Sequence, residues 1–191
     1  MTDDEIALAR AWALVAAAYP QKRYAAAVYT VCDAGARLGE LPAARHSDLY
    51  GDHEPEAFLA AGTPNRSARF LPLGAFHRSV LAQTVRPRNG DEDTLLLAHP
   101  RGSASQAGDF TGAAATRALN SFTAALGLKH ADLAPASAAR WRVQHTRETQ
   151  GFDAAVEIAG TSKAAVEFEL GITRELKPAR VAKARGSQTA F

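Results

Sequence analysis

The sequence predicts an α+β fold that is mainly helical, with a small antiparallel β-hairpin or sheet inserted among the helices. Three observations support this prediction. Alanine supplies much of an apolar fraction of 47%, while aromatic residues make up only 7%, and this composition favours packed helices over a β-sandwich. Apolar residues recur at helical spacing through most of the chain. Two short strand-like runs flank a single turn-rich loop.

Composition excludes several classes of function. A chain of 191 residues with a formal net charge of +2 is large enough for one core but is no polycation, so a nucleic-acid surface must come from local clustering of charge. The single cysteine, Cys32, excludes a disulfide framework, and the scattered His46, His53 and His130 predict no metal site. The sequence contains no glycine-rich loop of the kind that binds nucleotide phosphates, so we expect no cofactor. An acidic start and the lack of a long apolar run favour a cytoplasmic protein with no membrane partner.

The first two predicted helices are separated by a proline. Thr2 followed by Glu5 is a capping-box pattern, and the helix that it begins ends before Pro20. Residues 21–34 then place apolar side chains at helical spacing, which predicts a strongly buried second helix. Its inward residues are Tyr24, Val28, Val31 and Cys32.

The exit from the second helix carries an arginine between two glycines. Gly35 and Gly39 bracket Arg37, so the backbone is free to turn sharply there and the guanidinium projects from a helix junction. With Glu40 available to orient it, Arg37 suits bidentate capture of a phosphate or carboxylate. The alternative, on this stretch alone, is a surface arginine paired with Glu40. A short helix is predicted to follow, with Leu38, Leu41 and Leu49 on its apolar face.

The rest of the chain predicts a hairpin and then more helices. The elements are strands at 57–60 and 69–73, a helix at 76–85, a buried strand or extended segment at 94–97, and helices at about 111–126, 135–151, 153–159 and 162–170. Trp141, on the 135–151 helix, is expected in the core. Residues 1–172 are predicted to form one domain, and residues 173–191 a basic C-terminal tail that is partly disordered.

Four motifs follow one another along the chain. Ala34-Gly35-Ala36-Arg37-Leu38-Gly39-Glu40-Leu41 precedes Ser47-Asp48-Leu49, then come Arg69-Phe70-Leu71-Pro72-Leu73, Leu126-Gly127-Leu128, and Pro135-Ala136-Ser137-Ala138-Ala139-Arg140. In order and spacing they resemble the catalytic domain of the tyrosine recombinases, the phage-integrase family. The resemblance extends from about Thr2 to about Ile172. It implies a DNA strand-transfer fold and double-stranded DNA as partner.

The resemblance implies a phosphate clamp. Family members hold the scissile phosphate with two arginines, which match Arg37 and Arg140, and an acidic residue that supports the first arginine matches Glu40. Other family positions are degenerate. The hairpin lysine, a general acid, falls at Pro64, with Arg66 the nearest cation, and the histidine of the Pro-His-x-x-Arg box is Ser137.

The later positions are degenerate too. The Gly-His or Gly-Trp element of the family is Gly160-Thr161, and the nucleophilic tyrosine falls at Leu170, or at Phe168 if the alignment slips by two residues. The chain has 4 tyrosines, and Tyr50 is the last of them. Because strand transfer of this kind needs an attacking nucleophile and an acid for the leaving oxygen, the resemblance predicts a domain that grips DNA without cutting it.

A DNA-binding surface is predicted from the basic residues. The expected contacts are Arg37, Arg140, Arg142 and Arg147 along a phosphate track, Arg101, Arg117 and Lys163 outside it, and Arg174 and Lys177 on the tail. Arg140 and Arg147 are seven residues apart and so share a helix face. For Arg142 and Arg147 the alternative is an ordinary solvated face. His145 is expected to be a surface or core histidine, not a replacement for the missing imidazole.

Three functions stay open at this stage. The first is a catalytically silent DNA-binding protein that acts in or regulates integration or recombination. The second is an active recombinase whose nucleophile comes from a partner subunit, or from Thr161, Ser162 or Thr173. The third is a protein-interaction module on the same scaffold. Because the family's usual preceding DNA-clamping domain is not seen in this sequence, we expect weak DNA binding, or binding that depends on an active recombinase or on self-association.

Overall fold

The computed structural model describes residues 1–51, 55–85, 96–97, 112–128 and 133–172. Its elements are α1 (Asp3–Ala17), α2 (Arg23–Asp33), β1 (Leu49–Tyr50), β2 (Ala57–Ala60), β3 (Arg69–Pro72), α3 (Ala75–Thr84), α4 (Gly112–Ala125), α5 (Ser137–Gln150), α6 (Phe152–Ala159) and α7 (Lys163–Glu169). Mostly helical, with one small antiparallel sheet, it confirms the predicted fold class. The predicted basic tail, residues 173–191, lies outside the described residues.

The first helix begins at the predicted capping box. Thr2 Oγ1 accepts a hydrogen bond from the Glu5 backbone N–H at 3.2 Å, and Glu5 Oε2 accepts one from the Thr2 N–H at 2.8 Å. Both donors would otherwise be unpaired at the start of α1. After Ile6, the buried residues of α1 are all alanines. Because alanine side chains are small, α1 packs closely against α2.

The second helix is the centre of the fold. α2 contacts α1, α3, α4 and α5, and every residue from Ala26 to Asp33 is buried. Tyr29, Thr30 and Asp33 form side-chain hydrogen bonds within this buried stretch, as burial requires. Thr30 Oγ1 donates to the Ala26 carbonyl at 2.8 Å, and the Tyr29 ring stacks on Phe122 of α4 at a centroid distance of 4.7 Å.

A buried carboxylate joins the first three helices. Asp33, at the end of α2, accepts hydrogen bonds from Arg10 Nε of α1 at 3.1 Å and from the Tyr29 hydroxyl at 3.3 Å. His77 Nε2 of α3 lies 2.9 Å from the same carboxylate. Because His77 Nδ1 accepts from the Gly74 backbone N–H, the imidazole proton is on Nε2 and points at Asp33. These bonds fix the end of α2, from which the arginine turn departs.

The segment after that turn differs from its prediction. The predicted short helix on Leu38, Leu41 and Leu49 is wrong: two single 3₁₀ turns, Leu41–Ala43 and His46–Asp48, stand in its place and lead into β1. Pro42 lacks a backbone N–H and Ala44 is extended, so the first turn does not continue as a helix. Leu41 is buried all the same.

The small sheet has one more strand than the sequence predicted. The strands are ordered β1-β2-β3 and both pairs are antiparallel, with Leu49 opposite Phe58 and Phe58 opposite Leu71. Alternate residues of β2 and β3 are buried, as expected for a sheet with one face on the core. The two predicted strands are therefore confirmed, and β1 was missed because two residues are too short to show a period.

The predicted helices after the sheet agree with the structure within a few residues. Of the strand or extended segment predicted at 94–97, the structure describes only Leu96 and Leu97, which are buried and lie in a turn. Trp141 of α5 is not fully in the core: it is partly exposed, and its Nε1 donates to Asp3 Oδ1 at 2.7 Å, joining α5 to the start of α1. The end of α6 is Gly160, in the left-handed conformation at φ 63°. α7 begins at Ser162, whose hydroxyl accepts from the Ala165 N–H.

Candidate nucleic-acid interface

The turn that carries Arg37 is held in one conformation by close packing. Gly35 has φ 118°, which other residues rarely adopt, and an added Cβ would lie 3.0 Å from Ile158 Cγ2 of α6. The Arg37 backbone N–H donates to Glu40 Oε2 at 2.7 Å. Glu40 therefore supports Arg37 through the backbone, and its carboxylate does not orient the Arg37 guanidinium as the sequence had suggested.

The carboxylate of Glu40 is paired instead with Arg69 of β3. Arg69 Nη1 donates to Glu40 Oε1, and Nη2 donates to Oε2 at 3.2 Å. The same guanidinium donates from Nε to the Ile158 carbonyl at 2.6 Å and from Nη2 to the Gly35 carbonyl at 3.2 Å. Because Arg69 and Glu40 are both buried, they join the turn, the sheet and α6 from within. The sequence placed Arg69 in a motif but gave no sign of this role.

The guanidinium of Arg37 faces a second carboxylate. Its Nη2 donates to Glu169 Oε1 at the end of α7, and Arg66 Nη2 lies 3.3 Å from Glu169 Oε2. Burial lowers the pKa of Arg37, and the nearby Arg66 lowers it further, while Glu169 raises it. Arg37 Nε is buried and has no hydrogen-bond partner among the described residues. Two arginines from different loops therefore converge on one anion.

Arg140 lines a cavity together with Glu169. The cavity has a volume of about 280 Å³, and its other lining residues are Met1, Ser137, Trp141, Gln144 and Leu170. Arg140 is exposed in the first turns of α5. Gln144 and Arg147 continue its face of the helix, and Arg147 Nη1 contacts Gln144 Oε1 at 3.5 Å. Arg37 contacts Glu169 directly, and Arg140 shares a cavity with Glu169.

Of the degenerate positions, Ser137 and Leu170 line this cavity. Pro64 is exposed in the β2–β3 turn, and Ser137 Oγ already accepts the Ala134 backbone N–H at 2.8 Å. Thr161 Oγ1 lies 3.4 Å from the Asn65 carbonyl. Leu170 lines the cavity, whereas the Phe168 side chain is 90% exposed, which favours Leu170 as the residue at the tyrosine position.

Arg66 also contacts Glu169, although the sequence motifs do not assign it to the site. Besides facing Glu169, its Nη1 donates to the Ala159 carbonyl. The sequence had named it only as the cation nearest to the missing hairpin lysine. The contact with Glu169 spans more than a hundred residues of chain, so no local pattern could have revealed it.

The other predicted DNA contacts are dispersed. Arg142 points away from Arg140, its stem packs against Gly35, and burial lowers the pKa of its guanidinium. Lys163 pairs with Asp153 at 2.5 Å on the surface, and Arg117 is exposed on α4. His145 stacks on the Trp141 ring at a centroid distance of 4.7 Å. Arg101, Arg174 and Lys177 lie outside the described residues, as do His53, His130 and Thr173.

Two further properties bear on the class of site. Within the described ranges, no three His, Cys, Asp or Glu side chains are grouped so that they could hold a metal ion. In the same part of the chain, no helix has the length and apolar character needed to cross a bilayer. The arginines of this arrangement can bind an anion by charge-assisted hydrogen bonds. The hydroxyl oxygen of Ser137, at the edge of the cavity, accepts the backbone N–H of Ala134.

Comparison with known proteins identifies the fold. No family model matches the sequence, and no curated protein matches it. The structure is similar to the crystal structure of XerA recombinase, with a TM-score of 0.66 and 18% sequence identity. The similarity covers 89% of this chain and 57% of the XerA chain. The chain therefore spans little more than half the length of that recombinase and shares its fold.

Proposed function

We propose that this recombinase-like chain binds double-stranded DNA through backbone phosphates, in or alongside site-specific recombination, and does not itself cut the DNA. One observation carries the proposal. Glu169 contacts Arg37 through its carboxylate and lines one cavity with Arg140, so both arginines that the resemblance assigns to a phosphate clamp are near the same acidic residue. Guanidinium groups present paired N–H donors that match phosphate oxygens.

The charge around the cavity supports phosphate contact of limited extent. The face of α5 that bears Arg140 also presents Gln144 and Arg147, which extend polar donors along about two helix turns. The whole chain has a formal net charge of only +2, so affinity must come from this local group. Phosphate contacts of this kind position a protein on DNA without reading its sequence.

Binding without cleavage follows from the groups around the cavity. The family reaction needs a nucleophile and an acid that protonates the leaving oxygen. By the resemblance, the nucleophile position falls at Leu170 or Phe168, and no tyrosine follows Tyr50 in the sequence. A guanidinium is in general a much weaker acid than an ammonium group, so an arginine is a poor replacement for the family's lysine as general acid. The remaining groups stabilise negative charge, which binds a phosphate but does not break it.

DNA binding is tested by fluorescence anisotropy with a labelled duplex over a series of salt concentrations. We expect the logarithm of the binding constant to fall linearly with the logarithm of salt, and Arg140→Gln to reduce the slope by about one. Lys22→Gln is the control, since Lys22 lies beside Arg23 at the opposite end of α2 from Arg37. If wild-type protein shows no binding even at low salt, and no substitution of the acidic residue at the cavity restores it, the DNA proposal fails and the interaction-module alternative gains support.

Cleavage is tested separately with nicked duplexes that trap a covalent intermediate. We expect no protein–DNA adduct that survives denaturation, from the protein alone or with a partner recombinase mixed in as the source of a nucleophile. An adduct on this chain would refute catalytic silence and would support the Ser/Thr alternative. An adduct on the partner that requires this chain would instead support a nucleophile supplied in trans.

A further inference from the structure

The chain itself places a carboxylate between the Arg37 and Arg66 guanidiniums. Glu169 presents Oε1 to Arg37 Nη2 and Oε2 to Arg66 Nη2, so each carboxylate oxygen meets a different guanidinium. The Arg37 and Glu169 side chains are 12% and 14% exposed. A carboxylate with both oxygens paired in this way uses the same donors that two non-bridging phosphate oxygens would use.

The contact competes directly with an incoming phosphate. Besides burial, the nearby Arg66 lowers the pKa of Arg37, and Glu169 raises it. Removing the carboxylate leaves two partly buried cations that need a counter-charge. A DNA phosphate supplies one, whereas solvent does so poorly in a site this enclosed.

The segment that carries Glu169 is weakly anchored. α7 has seven residues, of which only Val166 is buried, and among the described elements it packs chiefly on α6. Phe168, the residue before Glu169, is 90% exposed. A short helix with so little buried surface opens at low free-energy cost compared with the core helices. The end of α7 can therefore move without unfolding the domain.

We propose that Glu169 is an internal phosphate mimic that masks the Arg37 and Arg66 guanidiniums, and that DNA binds after the end of α7 swings away. This inference rests on the proposed function, because it concerns how the same site is regulated. In such a mechanism the apparent affinity for DNA equals the intrinsic affinity reduced by the fraction of unmasked protein. Anything that holds α7 aside would then increase binding.

The test is duplex-DNA affinity of Glu169→Gln against Glu157→Gln. Both substitutions remove one negative charge, but Glu157 is exposed on α6. We expect Glu169→Gln to bind about tenfold tighter at equal salt, with a salt slope steeper by about one phosphate contact. We expect the Glu157→Gln affinity to stay within about twofold of wild type, since a distant surface charge is screened.

Two results would overturn the masking mechanism while leaving the proposed function intact. One is equal affinity of the two variants together with wild-type binding that Arg140→Gln weakens. The other is read on the wild type, so it does not depend on the variant folding: amide hydrogen exchange in α7 that is unchanged or slower in the DNA complex. Masking predicts faster exchange there. Absence of DNA binding by both wild type and Glu169→Gln would remove the proposed function as well.

Discussion

Arg69 and Glu40 form a buried ion pair directly beneath the turn that presents Arg37. Arg69 reaches both oxygens of Glu40, and Glu40 Oε2 also accepts the backbone N–H of Arg37. The position of Arg37 thus depends on the Glu40 carboxylate, which contacts the backbone of Arg37 and not its guanidinium. The pair connects the sheet to the arginine turn across 29 residues of chain.

Breaking that pair should destabilise the domain strongly. Glu40→Ala leaves the Arg69 charge buried without its partner, and we expect a loss of about 3–5 kcal/mol in the free energy of unfolding. Urea denaturation followed by circular dichroism measures it. Glu157→Ala, at an exposed position on α6, should change stability by less than about 0.5 kcal/mol. A Glu40→Ala effect as small as that of the control would show that the pair is not structural.

A methyl group at Gly160 should be costly for two reasons that can be separated. Gly160 has φ 63°, and an added Cβ would lie 2.6 Å from Cδ of the tethered Arg69. Gly127 has a similar φ of 72° but no atom within 4 Å of the added Cβ. Both alanine variants carry backbone strain of about 1–3 kcal/mol, and Gly160→Ala should lose a further 1–3 kcal/mol or so from overpacking. Equal losses in urea denaturation would contradict the close approach.

Local patterns predicted most elements of the fold because their causes are local. The capping box at Thr2 and Glu5 and the helical spacing of α2 act within a few residues, and both are confirmed. The segment after the arginine turn was predicted wrongly, since the leucine spacing suggested a helix while Pro42 and the extended Ala44 limit it to 3₁₀ turns. Tertiary pairing with β2 then makes β1 a strand.

The site was only partly predictable for the same reason. Motif order singled out Arg37, Arg140 and Glu40, but which carboxylate each arginine meets depends on contacts between distant parts of the chain. Glu169 lies 132 residues from Arg37, and nothing around it in sequence indicates an arginine partner. The sequence alone could therefore indicate that Arg37 binds a phosphate, but it could not show that a carboxylate of the same chain already contacts this arginine.

The buried thiol of Cys32 should make stability fall at alkaline pH. Burial raises its pKa from 9.0 to about 12, with the nearby Arg37 lowering it in part. Between those values the unfolded chain releases the thiol proton while the folded chain keeps it, so the free energy of unfolding decreases as pH rises, by up to about 1.4 kcal/mol per pH unit. Urea denaturation at several pH values above 9 should show a shallower decline for Cys32→Ala. Parallel curves would contradict the shift.

The two arginines that flank the middle of α5 should differ in their effect on DNA binding. Arg147 is seven residues from Arg140 and shares its face, whereas Arg142 is turned by about 200° and packs its stem against Gly35. We expect Arg147→Gln to weaken duplex binding and to reduce the salt slope by about one, because a phosphate contact is lost. Arg142→Gln should leave the slope unchanged and act on thermal stability instead, because its guanidinium is partly buried. Anisotropy titrations at several salt concentrations, with thermal melts of each variant, separate the two effects. A salt slope lowered by Arg142→Gln and not by Arg147→Gln would place the DNA on the opposite face of α5.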